Sequence, residues 1–393
     1  MKFRPEIDSQ LAKAQAGFQQ HFGTPATLLS RAPGRLEILG NHTDYNQGTV
    51  LSVAVDRQMC IAAAPRRAGD GVDEMTCRLY DLNADSGREF RLDALDDKRK
   101  GDWANYIKGL VCELNELGHC VPAFDAVLLG SVPLSAGMSS SAALEMAMAL
   151  VLNELSGAGL GWLQLAKVGQ GCENHYVGAQ TGLLDQFSSL KGRAGQLIYS
   201  DFRSYEVANV PMPAGSVFVV ANSMVKHNLT NEYNERRQAC EEVARALKVP
   251  ALRDVTPQML EAARAVLNPV SFRRASHVVG EIDRVARGVE ALKGGDIALF
   301  GRLMSLSHRS SIENFENSCE EIDDLVALGS GLHGFLGARI SGGGFGGISV
   351  HLVRAESAQE YARQLADAYK AKRGIAAQVM ICSAADGAAV YEA

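Results

Sequence analysis

The stretch GSVPLSAGMSSSAALEMA, residues 130–147, joins a glycine turn to three serines and then to a run rich in Ala, Leu and Met. The run Ala142–Leu155 is too long for a strand and reads as a buried helix. Ser139, Ser140 and Ser141 stand at its start, where hydroxyls can cap free backbone amides. Gly137 lets the chain pass close to a ligand. Free amides and the positive end of a helix dipole together make an anion site, above all for phosphate. A plain Ser-capped core helix needs one serine, so three after a glycine favour phosphate.

Two more loops frame this one. RAPGRLEILGNHTDYNQG, residues 31–48, places the polar turn HTDYNQG between strands expected at 27–40 and 49–64. An Asx-rich hairpin is one reading of it. His42, Asp44, Tyr45 and Asn46 nevertheless put more hydrogen-bonding side chains together than a turn needs, and such a cluster suits a polyol. In SGGGFGG, residues 341–347, Gly342, Gly344 and Gly347 fit the spacing GxGxxG. The dinucleotide fingerprint needs a helix immediately afterwards, and ISVHLV alternates as a strand instead. No GxxxxGK[ST] occurs, which excludes a P-loop ATPase.

The remaining sequence bounds the class. At 393 residues the chain is long for one core and comfortable for two. Lys plus Arg is 39 against 45 Asp plus Glu, a net charge of −6, which argues against a dedicated nucleic-acid binder. An anionic substrate stays possible, because a pocket can oppose the net sign. Eight Cys without a CxxC pair and nine His without HxxxH or HExxH give no metal or disulfide framework. They read as reduced thiols of a cytoplasmic protein. The N-terminus lacks the apolar core of a signal peptide, and no apolar run approaches the ~20 residues that span a bilayer, so no membrane partner is expected. Helical patterns at 8–22, 231–247, 272–293, 296–312 and 355–373 alternate with strands at 215–223, two within 338–353, and one at 377–383. This gives an α+β or α/β class, with a boundary near 205–215 where Pro and Gly cluster.

In this order the three loops resemble the GHMP kinases and, within them, the galactokinases. The first is similar to the signature GRxNxIGEHTDYNxG, the second to PxxxGLSSSA and the third to GxGFGG. WANYIKG at 103–109, TGLLDQF at 181–187, NSMVKHNL at 222–229 and NEYNERRQACEE at 231–242 extend the likeness. The resemblance implies an ATP-dependent sugar 1-kinase with an α+β fold of two domains. Residues 1–210 would form a domain like ribosomal protein S5 domain 2, holding the sugar signature and phosphate loop. Residues 211–393 would form the GHMP C-terminal domain, with the active site in the cleft between.

The resemblance also implies roles. Asp185 would accept the proton of the anomeric hydroxyl, or orient it, and Arg35 would stabilise charge on the moving phosphoryl group. The sugar would meet Arg35, Asn41, His42, Asp44, Gly182, Asp185 and Tyr233. ATP would lie on Ser135, Gly137, Ser139, Ser140, Ser141, Ala142, Gly343 and Gly344, with adenine near Trp103 and Tyr106. Those two aromatics could equally be plain core. Ser141 and Glu173 would hold Mg²⁺. Sugar and ATP would be the only partners of a monomer or weak homodimer.

One departure stands out. Galactokinases carry Glu where this chain has Asn41, and Asn where it has Glu37. In the family that Glu reaches a sugar hydroxyl near C6. Asn41 is neutral and can donate as well as accept, so a C6 carboxylate would be tolerated. Galactose is expected first, with galacturonate, N-acetylgalactosamine and L-arabinose behind it. A non-catalytic sugar sensor is the other class, and the intact serine loop, Asp185 and Arg35 weigh against it. WANYIKG, LLDQF and NEYNERR weigh against a mevalonate-type kinase.

Overall fold

Two long segments, buried on both faces over most of their length, build the first hairpin. In the computed structural model, which describes residues 5–66, 73–133, 137–225 and 230–393, helix α1 (Pro5–Phe22) leads into β1 (Leu28–Leu39) and β2 (Thr49–Pro65). Then come β3 (Thr76–Asp81), β4 (Ser86–Arg91), α2 (Ala104–Glu116), β5 (Phe124–Gly130), α3 (Ser140–Ser156), α4 (Trp162–Gly171), α5 (Leu184–Lys191), β6 (Gln196–Asp201) and β7 (Val207–Pro211). The rest comprises β8 (Ser216–Asn222), α6 (Thr230–Ala246), α7 (Pro257–Ala262), α8 (Pro269–Lys293), α9 (Ile297–Ser310), α10 (Glu320–Ser330), β9 (Phe335–Ser341), β10 (Ile348–Arg354), α11 (Ala358–Arg373), β11 (Gln378–Cys382) and β12 (Ala389–Glu392).

Two sheets result. One has eight strands in the order β12-β1-β2-β5-β3-β4, with β6 paired to β2 and β7 to β6. The other runs β11-β8-β10-β9 with every pair antiparallel. The chain passes from one sheet to the other between Pro211 and Ser216. The final strand β12 pairs with β1 at the edge of the first sheet, so no single cut in the chain separates the two sheets. As the alternation of ISVHLV requires, β10 follows the glycine loop at 341–347 directly.

Three apolar layers hold the site in place. Helices α2 and α3 cover the first sheet, Ile107, Leu110, Met146 and Leu152 sharing one apolar cluster with Phe124 of β5. A second layer joins the halves: Leu36, Ile38, Leu51 and Val53 of the first hairpin meet Phe218, Val220, Ile348 and Val350 of the second sheet. Helices α8 and α9 add Val285, Phe300 and Leu303 to the same layer. Each such side chain, fully buried, contributes about 1.5–3 kcal/mol. A third cluster packs α10 and α11 against the far face of the second sheet. Strand periodicity then decides the site: Leu36 and Ile38 enter the joining layer, while Arg35 and Glu37, one position out of phase, face a cavity.

Candidate active site

The polar turn after β1 is held from the other half of the molecule. Gly40 has φ +99°, and a Cβ there would lie 2.5 Å from the Thr49 carbonyl, so the turn needs glycine. The Glu281 carboxylate of α8 accepts from the amides of Gly40 (2.8 Å) and Asn41 (2.9 Å), and Arg284 donates to its other oxygen at 2.5 Å. Burial pushes the Glu281 carboxyl up, but Arg284, His277 and Arg339 outweigh this and hold it well below the usual range. His42 is left-handed at φ 60°. Its Nε2–H donates to the Gly343 carbonyl (3.1 Å) and its Nδ1 accepts from the Tyr45 hydroxyl (3.0 Å). Burial pushes the His42 ring down to about 3, so it is a neutral spacer between two loops rather than an acid or base near neutral pH.

A cavity of about 190 Å³ opens beside this turn. Arg35, Asn41, His42, Asp44, Gly182 and Asp185 all line it, together with Glu37, Thr181, Leu184, Gly342 and Gly343. At its wall Arg35 Nε donates to Asp185 Oδ1 at 2.7 Å, and Arg35 Nη1 donates to the Gly137 carbonyl at 2.6 Å. Asp185 Oδ2 accepts from Ser139 Oγ at 2.5 Å. One carboxylate thus ties strand β1 to the serine loop at the start of α3.

That bond revises the expected capping. Ser139 is left-handed at φ 54° and gives α3 no side-chain cap. Its hydroxyl is spent on Asp185, so the first turn of α3 keeps its amides for another acceptor. Behind the loop, Ser141 Oγ meets Glu173 Oε1 at 3.4 Å. Glu173 rides on a π-turn, Cys172–Val177, a distortion that gathers at functional sites. Thr181 Oγ1 donates to the same carboxylate. Gln186 Nε2 bridges Glu145 Oε2 (3.0 Å) and Glu173 Oε2 (3.3 Å). Burial, then the neighbouring Glu173, push the Glu145 carboxyl well above its usual range. Burial, then Asp185, raise Glu173.

The other expected residues fall in several places. Gly343 lies in the cavity wall beside His42, and Gly344 passes within 2.3 Å (to a built Cβ) of the Asn317 carbonyl. Trp103 and Tyr106 pack against the core under α2, and Trp103 also lines a broad recess with Arg88, Arg99, Lys100 and Lys108. Ser135 lies outside the described residues, as does the side chain of Tyr233, which is on α6. Glu145, Gln186, Glu281 and Arg339 escaped the sequence reading, because their signal is tertiary. Gln186 alone had a local one, as the neighbour of Asp185 in LLDQF.

Asn41 does not do what its chemistry alone suggested. Its Nδ2 donates both N–H groups, to Glu37 Oε1 (3.0 Å) and the Gly342 carbonyl (2.9 Å). Its Oδ1 accepts from Asn317 Nδ2 at 2.9 Å. No donor remains for a C6 carboxylate.

Comparison with known proteins agrees with this geometry. Three family models match in chain order: a galactokinase galactose-binding signature over 16–65, the GHMP kinases N terminal domain over 105–193 and the GHMP kinases C terminal over 289–371. A galactokinase of Roseiflexus sp. (strain RS-1) is 39% identical over 376 residues, 94% of each chain. The galactokinase of Homo sapiens is 39% identical over 392 residues, 98% of each chain. The crystal structure of Lactococcus lactis galactokinase complexed with galactose matches with a TM-score of 0.90 at 27% identity, covering 98% of this chain and 99% of that one. Methanococcus jannaschii mevalonate kinase, at 15% identity and a TM-score of 0.66 over 92% of this chain and 99% of that one, shares the fold. A two-sheet α+β chain with these loops around one cavity, and with this identity across nearly its whole length, belongs to the galactokinase family of GHMP kinases.

Proposed function

We propose that the protein transfers the γ-phosphoryl group of ATP to the anomeric hydroxyl of galactose. The carrying observation is the Asp185 carboxylate at the cavity wall, bonded on one oxygen to Arg35 and on the other to Ser139. Phosphoryl transfer asks the protein mainly for positioning and charge stabilisation. Asp185 accepts the proton of the attacking hydroxyl or orients it, and Arg35 faces the charge on the moving group. The uncapped first turn of α3, with Gly137, Ser140 and Ala142, receives the phosphates. Trp103 and Tyr106 mark the adenine side, and Gly344 adds to the nucleotide contacts; the roles expected of Ser135 and Tyr233 fall outside the described residues.

The donor set is small, a hydroxyl and a carboxylate 3.4 Å apart, and suits a divalent cation held mainly by phosphate oxygens. Mg²⁺ held by Ser141 and Glu173 would offset phosphate charge. A division at 210/211, with β12 returning to the first sheet, a monomer or weak homodimer, and a cytoplasmic site of action complete this reading. Among the described residues no helix is long and apolar enough to cross a membrane. The test is ADP release from Mg-ATP across a panel of free sugars. Release driven best by galactose supports the reading, and sugar-independent release alone contradicts it.

Two further results follow from Asp44 and its neighbour. Burial pushes the Asp44 carboxyl from 3.8 up to about 7, with the charges of Glu37 and Asp185 adding to the shift. A carboxyl raised in the folded state adds stability below its unfolded value and loses it as pH rises through the folded one, here from about 4 to about 7. Sugar hydroxyls favour the ionised form, so galactose binding below about pH 7 expels a proton. The galactose KM therefore falls as pH rises through about 7, and Asp44→Asn flattens the profile. Gly182 lies against the same carboxylate: a Cβ there would sit 1.9 Å from Asp44 Oδ2. Gly182→Ala displaces it, and steady-state kinetics should show the galactose KM raised about tenfold or more with the ATP KM little changed.

A further inference from the structure

Glu37 is 3% exposed and lies on β1 in the cavity wall. A carboxylate this buried needs a positive partner and hydrogen bonds. Both are present on one oxygen: Oε1 accepts from Asn41 Nδ2 at 3.0 Å and from Arg339 Nη1 at 3.3 Å. Arg339 is 0% exposed, and its Nε and Nη2 find no acceptor among the described residues. Glu37 forms an ion pair with this guanidinium at 3.3 Å, although burial pushes its carboxyl up against the pull of Arg339 and Asn41. The second oxygen, Oε2, takes no hydrogen bond among the described residues, although the residue borders the cavity. Asn41, by contrast, has both N–H groups engaged inside the protein and its carbonyl oxygen on Asn317.

We propose that Glu37, clamped by Asn41 and Arg339, supplies the substrate-facing carboxylate of the sugar cavity, so that residues 37 and 41 act as one exchanged acid–amide pair. This deepens the galactokinase reading and rests on it. A carboxylate with a free oxygen accepts a hydroxyl strongly through a charge-assisted bond. The same carboxylate repels an anionic group placed against it. The cavity therefore takes a neutral sugar with a free hydroxyl at this wall and rejects the corresponding uronate. Asn41 is a positioning residue that fixes the rotamer of Glu37 and does not contact the sugar.

The test is a double-mutant cycle on the full-length protein: Glu37→Asn, Asn41→Glu and the two together, with Glu37→Gln beside them. Galactose affinity is read by titration calorimetry, which needs no turnover, and kcat and ATP KM are read separately. Glu37→Gln and Glu37→Asn should each weaken galactose about tenfold or more, with ATP KM within about twofold. The double variant returns a carboxylate to the pair and should recover galactose affinity to within about threefold of wild type. A double variant no better than the worse single, or unchanged galactose affinity in Glu37→Gln, overturns the proposal. Should the single variants fail to fold through the unbalanced Arg339, the double variant and wild type still decide it. Galacturonate binding wild type as tightly as galactose overturns it too. Wild type that binds galactose without phosphorylating it would refute the kinase reading and leave the assignment of Glu37 standing or falling on the affinities.

Discussion

Asp185→Asn lowers kcat for galactose phosphorylation by about 10²–10⁴-fold, the usual contribution of a positioned proton acceptor. Asn is nearly the same size but replaces one oxygen with an NH₂ group. Both oxygens of Asp185 already accept hydrogen bonds, from Arg35 Nε at 2.7 Å and Ser139 Oγ at 2.5 Å. An amide must set a donor against one of these donors. The substitution therefore removes the proton acceptor and also loosens the tie between β1 and the serine loop. Asp185 borders an open cavity, its side chain a quarter exposed, so unfolding temperature should shift by only a few degrees. Steady-state kcat beside a thermal melt separates the two effects. A kcat within about threefold of wild type would mean that Asp185 takes no part in proton removal.

The second large effect is at Arg35, whose guanidinium reaches two places at once. It holds Asp185 on one side and the Gly137 carbonyl, at 2.6 Å, on the other. Arg35→Ala should cost about 10²–10³-fold in kcat, the range seen when a fixed charge-stabilising donor is removed. Arg35→Lys keeps the charge but not the planar fork, and should recover only part of the loss. Because the two residues act as a unit, their losses should not multiply. The Arg35→Ala/Asp185→Asn variant is expected to fall no more than about threefold below the worse single variant. A loss equal to the product of the two would show that they act independently.

What could be read in advance was local. The hairpin around HTDYNQG follows from two strand-like segments, 27–40 and 49–64, on either side of a polar Asx turn, and β1 and β2 occupy Leu28–Leu39 and Thr49–Pro65. Likewise α3 follows from one long Ala-, Leu- and Met-rich run. Short elements carried too little pattern. Helix α5, which bears Asp185, has eight residues, barely two turns of periodicity. Strand β12 has four residues, and its partner β1 lies more than 350 residues earlier, so nothing near it in the chain announces the pairing. The same distance hid the side-chain logic. Ser139 reads as a helix cap until Asp185 arrives from 46 positions away to claim its hydroxyl. The exchange of Glu37 and Asn41 is legible in the sequence, but their bond to each other and the pairing of Glu37 with Arg339, 302 positions on, are not. Residue types and loops were legible, whereas the partners that decide each donor and acceptor were not.

The central claim is phosphoryl transfer to the anomeric oxygen of galactose, and the position of the phosphate on the product tests it most directly. Wild-type protein with Mg-ATP and galactose carrying ¹³C at C1 should give a product whose C1 resonance is split by phosphorus, at a rate that Asp185→Asn lowers about 10²–10⁴-fold. Phosphate on any other carbon, or ADP formed with the sugar unchanged, would contradict the account.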